Sequence, residues 1–97
     1  MKKFLLLHIG FEPPTPEIME AWGGWFESIK HVEVDSGGFA AGKEITSAGV
    51  IDLPMNTEGA TGFSIIKAEN LAEAVKIANT CPFITGIRVY ELRSMEY

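Results

Sequence analysis

The segment Lys3–Ile9, KFLLLHI, constrains this chain most. It is short, apolar and ends at Gly10, as a buried strand does. In a strand, Phe4, Leu6 and His8 point to one side and Leu5, Leu7 and Ile9 to the other. Both sides are therefore greasy, and each needs cover.

Two helices are available to cover one side. Phe11–Pro16, FEPPTP, excludes helix interior, because its prolines remove donors and restrict their neighbours. Thr15 then caps a helix whose first position is Pro16. Ile18, Trp22, Trp25, Phe26 and Ile29 recur at spacings of three and four and mark its apolar face, and the helix ends near Lys30-His31. Gly23-Gly24 costs this helix about 1 kcal/mol per glycine relative to alanine, which close backbone packing is expected to offset. The second helix opens at Asn70, with Glu73 completing a variant capping box. Leu71, Ala74, Val75 and Ala78 form its predicted apolar face, and Cys81-Pro82 stops it.

Between the helices, Val32–Asp35 is extended and Ser36-Gly37-Gly38 is a turn signal. Lys43–Thr46 and Val50–Leu53 are short strands, the second stopped by Pro54. Asn56–Thr61 reads as a loop, Gly62–Ala68 as a strand and Ile87–Leu92 as an alternating last strand. The order is β-α-β-(β)-β-α-β. Two one-sided helices then share one face of an antiparallel sheet, which predicts an α+β, ferredoxin-like domain spanning residues 1–97. Phe63 and Ile65 oppose Ser64 and Ile66, and Ile87 and Val89 oppose Arg88, Tyr90 and Leu92. Soluble monomers seldom leave such a second apolar face in water, so a homodimer with two sheets meeting is expected.

Composition narrows the function classes. The net charge is −5, with the lysines and arginines scattered, which argues against a nucleic-acid partner. No apolar run reaches membrane-spanning length. A single cysteine, Cys81, cannot form an internal disulfide and favours a reducing, cytoplasmic setting. One cysteine and two distant histidines make no zinc site, and neither a phosphate-binding loop nor a dinucleotide fingerprint is present, so no cofactor is expected.

The candidate site is drawn from polar interruptions of apolar strands. His8 has two readings. In one it faces a central pocket, where an imidazole moves protons or holds an anion. In the other it sits at a strand end and bonds to backbone or solvent. Ser64, Arg88 and Tyr90 are the other polar interruptions. Trp22 belongs either to the core or to the wall of a ligand cleft. The candidate pocket is thus His8, the catalytic candidate, with Trp22, Ser64, Arg88 and Tyr90 as ligand-pocket residues.

The stretches KKFLLLHIG, EIMEAWGGWFESI, VDSGGFAAGKEIT, GFSIIKAENLAEAVKIANTCPF and IRVYEL together resemble a YCII-related (DGPF-type) domain protein. The resemblance covers nearly the whole chain and is most specific from Gly62 to Leu92. It implies a dimeric α+β barrel built from ferredoxin-like halves. It also implies a His–Asp pair in the pocket, which here would be His8 with Asp35 or Asp52. The wider superfamily includes lactone isomerases, dehalogenases and small monooxygenases. The Asp-Gly-Pro-Phe segment that names the larger branch is replaced here by NTEGATGF.

The function expected is small-molecule binding in a pocket of the barrel, with acid–base chemistry by His8 as its catalytic form. The alternative is a non-catalytic interaction or regulatory dimer, with a filled interior and His8 in solvent.

Overall fold

A computed structural model describes residues 1–93. Its elements are β1 (Lys2–Ile9), α1 (Pro16–Ile29), β2 (Glu33–Gly38), β3 (Gly42–Thr46), β4 (Gly49–Leu53), β5 (Ala60–Ala68), α2 (Leu71–Ala78) and β6 (Gly86–Glu91). Four strands form one antiparallel sheet in the order β2-β5-β1-β6, and β3 and β4 form a separate hairpin. With the hairpin set aside, the four strands run fourth, first, third, second in chain order. This is the ferredoxin-like arrangement expected from the sequence.

Both helix starts are made as read. Thr15 Oγ1 accepts from the Ile18 amide at 3.2 Å, and Asn70 Oδ1 accepts from the Glu73 amide at 2.9 Å. These bonds satisfy donors that a helix N-terminus leaves free. The even residues of β1 bury against the helices. Phe4, Leu6, Ile66, Ala68, Ala74 and Ile29 share one core with Trp25, Ala78 and Cys81. The Trp25 indole N–H donates to Thr80 Oγ1 at 3.0 Å and ties α1 to the end of α2.

Three local expectations are corrected. Ser36-Gly37-Gly38 is not a turn but the second half of β2. A Cβ on Gly37 would lie 2.8 Å from the Phe63 ring, so glycine lets the edge strand pass that ring. Gly23 and Gly24 pack on nothing; a Cβ at either would meet open space, so close backbone approach does not explain them. The buried face of α2 is rotated from the predicted one. Ala74 and Ala78 are buried with Ile77 partly covered, whereas Leu71 and Val75 are about half exposed. The helix is two turns long, and its small residues let it lie close to the sheet, which leaves its larger ones at the margin.

On the bare face of the sheet lie Leu5, Leu7 and Ile9 with Phe63 and Ile65, all partly exposed. The thinnest dimension of the molecule is 18 Å, one sheet and one helix layer. Among the described residues, no helix is long and apolar enough to cross a membrane.

Candidate functional site

The site is built from two rows that cross the sheet on its helix-covered side. Antiparallel partners share a face. One row is Ser36, Ser64, Leu6 and Val89; the next is Gly38, Gly62, His8 and Ile87. Two of the four positions in the second row lack side chains. Over them α1 places Trp22 and Phe26, one turn apart. A cavity of about 300 Å³ results, lined by His8, Trp22, Phe26, Gly38, Gly62 and neighbouring β2 and β5 residues. A Cβ on Gly62 would lie 2.7 Å from the Gly37 carbonyl oxygen, so the strand spacing enforces that glycine. Gly38 is different: its nearest neighbour would be the Thr61 carbonyl oxygen at 4.0 Å, so a side chain fits there and would fill the cavity.

His8 is 6% exposed and Ser64 is fully buried. His8 Nε2 and Ser64 Oγ are 3.0 Å apart. Ser64 Oγ has no other side-chain or backbone partner among the described residues, so its hydrogen goes to His8 Nε2. The imidazole proton then resides on Nδ1, which is buried and unpartnered. A buried orphan donor costs about 1–3 kcal/mol, so Nδ1 calls for an explanation. Around the imidazole, the Trp22 and Trp25 rings stand nearly perpendicular, with centroids at 5.0 and 5.7 Å. Burial among these rings lowers the His8 pKa from 6.5 to about 4. His8 is thus neutral near pH 7. It can donate through Nδ1–H, and it is a weak base until something restores its basicity.

The Ser64–His8 spacing matches a nucleophile–base pair, but Ser64 has no surface open to a substrate. The hydroxyl orients the imidazole instead. Cys81 offers no nucleophile either. Burial pushes its thiol up to about 11, the Phe83 amide bond opposing this, and the protonated thiol packs as an apolar group.

Of the residues singled out in the sequence, the structure brings together His8, Ser64 and Trp22. Arg88 and Tyr90 stand elsewhere. Arg88 pairs with Leu7 and Tyr90 with Leu5, so both lie on the bare face, across the sheet from His8. Neither aspartate that the family resemblance would pair with His8 bonds to it. Asp35 Oδ1 accepts from the Ser36 amide in exposed β2, and Asp52 pairs with Lys43 at 2.7 Å on the hairpin. Sequence reasoning missed Gly38 and Gly62. Glycine inside a strand signals close approach or room for a ligand, but Gly38 reads as part of a turn and Gly62 as an ordinary first residue of its strand. Among the described residues, no group of three His, Cys, Asp or Glu side chains could hold a metal ion.

No family model matches the sequence, and no curated protein matches it. The fold is similar to that of 5-chloro-2-hydroxyhydroquinone dehydrochlorinase (TftG) from Burkholderia phenoliruptrix AC1100, solved in complex with 2,5-dihydroxybenzoquinone. The TM-score is 0.59 at 16% identity, over 94% of this chain and 93% of that one. At this identity the likeness establishes the fold alone.

Proposed function

We propose that the cavity beside His8 binds a small uncharged molecule and that two copies of the chain pair through their bare sheet faces as a YCII-like dimeric α+β barrel. One observation carries the binding reading. A buried histidine with an unpartnered nitrogen borders a cavity that two side-chain-free positions open beneath Trp22. A volume of about 300 Å³ is at the lower end of the range for small-molecule sites. A ligand oxygen that reached Nδ1–H, with a small shift of half-buried Trp22, would satisfy the orphan donor. The structural neighbour, seen with a small dihydroxylated ring, supports the same kind of occupant.

Binding is the stronger part of this proposal. Acid–base chemistry at His8 additionally requires the ligand to raise a pKa that burial holds near 4. A ligand that becomes anionic beside the imidazole would do so, and His8 would then be the catalytic residue. The non-catalytic alternative expects His8 in solvent and a filled interior; the buried His8 and the adjoining cavity favour binding.

The test is a titration of the isotope-labelled protein with phenol, followed through the imidazole and indole nitrogen resonances. His8 and Trp22 should shift together. Gly38→Val should abolish the response while unfolding close to wild type, because its side chain points into free space. Resonances that stay still, or a response that survives Gly38→Val, would defeat the binding reading. Light scattering checks the pairing: wild type should be a dimer and Leu7→Glu a monomer, and a monomeric wild type would defeat it.

A further inference from the structure

A second hollow begins where the first one ends. It measures about 680 Å³ and lies at the root of the β3–β4 hairpin. Phe39, Ala40, Ala41, Leu53, Pro54 and Met55 supply its apolar lining, and among the described residues Glu58 is the one charged group that lines it. Phe39, Leu53 and Met55 are each 39–47% exposed, an arrangement that leaves apolar area in water.

One residue joins this hollow to the His8 cavity. Gly38 lines both. No side chain at Gly38 separates the two spaces, and the nearest atom to such a side chain would be 4.0 Å away. Among the described residues neither space offers a cation to a ligand, and Glu58 disfavours an anion.

We infer that the site is bipartite: an uncharged planar head lies beside His8 under Trp22, and an apolar tail runs past Gly38 into the hollow at the hairpin root. This rests on the reading of the His8 cavity as a binding site and adds the ligand's second half. Gly38 is then a specificity-determining position, because any side chain there cuts the path between head and tail.

The test is a series of 4-alkylphenols (phenol, 4-ethyl-, 4-butyl- and 4-hexylphenol) titrated against the full chain by calorimetry, with the Trp22 indole resonance as the site marker. Affinity should rise about four-fold per methylene, the transfer value for a buried CH₂, until the hollow is full. Leu53→Asp should flatten this dependence and leave phenol itself, and the oligomeric state, unchanged. Gly38→Val should abolish the Trp22 response to every member. If phenol moves Trp22 but chain length brings no gain, or the gain survives Leu53→Asp, the bipartite reading falls and the His8 site stands. If no member moves Trp22, both fall. A flat series together with dissociation of the assembly by Leu53→Asp would place a second copy in the hollow and overturn the proposal.

Discussion

The helix-covered face of the sheet and the β3–β4 hairpin are made of similar residues and are treated oppositely by the fold. Phe4, Leu6 and Ile66 are completely buried, whereas Ile45, Val50 and Ile51 are 57–78% exposed. β1 has partners on both edges and a helix layer above it. The hairpin's strands bond to each other, and their register puts Ile45 beside Val50 with nothing over them among the described residues. Apolar composition alone therefore does not make a core. A residue contributes through burial only where the topology supplies a second layer. On the proposed reading the difference also separates the two halves of the site, since His8 is held by the sheet and helix layers while the projecting strands border the space that its ligand would extend into.

The largest effect should come from breaking the rigid side. Phe4→Ala removes a ring with no exposed surface and leaves a cavity in a packed core, at a cost of about 3–5 kcal/mol. Chemical denaturation should show it as a large fall in midpoint, to the point of failure to fold. A loss below about 1 kcal/mol would mean that β1 is not the spine of the core.

His8 sharpens the same contrast through pH. Its pKa is about 4 when folded and near 6.5 when unfolded. Between these values the unfolded chain binds more protons, so stability is complete above pH 6.5 and falls as pH drops toward 4. The full loss is on the order of 2–3 kcal/mol, from about 1.4 kcal/mol per pKa unit discounted for partial solvation. Midpoints measured from pH 7.5 to 4 should trace that fall, and His8→Gln should remove this component of it. Equal slopes in the two proteins would place the acid sensitivity elsewhere.

Much of the fold was legible because its signals are local. The two parities of Lys3–Ile9 and the caps at Thr15 and Asn70 each depend on a few adjacent residues, whereas α2 ends at Ala78, before the expected stop at Cys81-Pro82. The site was only half legible. His8, Ser64 and Trp22 could be singled out as interruptions of apolar patterns, but which interruptions share a face depends on register. The pairing of Leu7 with Arg88, which sends Arg88 away from His8, is a non-local fact. Gly38 was hidden for another reason. Ser-Gly-Gly favours a turn in isolation, and only the Phe63 ring and the β5 partner make it a strand. In α2, apolar spacing gave the period but not the rotation, because small Ala74 and Ala78 pack closer to the sheet than Leu71 or Val75 can.

The smallest effect should come from the hairpin, and its smallness is informative. Ile45→Ser removes an apolar side chain that is 78% exposed and pairs only with Val50 across the ribbon. Exposed substitutions of this kind stay within about 0.5 kcal/mol. The adjacent Lys43–Asp52 bridge, whose side chains are 65% and 84% exposed, is similarly weak and is screened by salt. Ile45→Ser should therefore unfold with wild-type midpoint and slope at low protein concentration, where any assembly has dissociated. The same comparison at high concentration separates the two regions. If the hairpin lies free, the variant still matches wild type. If it clasps a second copy, wild type gains stability with concentration by mass action and the variant gains less. A penalty well above 1 kcal/mol at the lowest concentration would show instead that the hairpin is packed within its own chain, and the contrast between the two regions would dissolve.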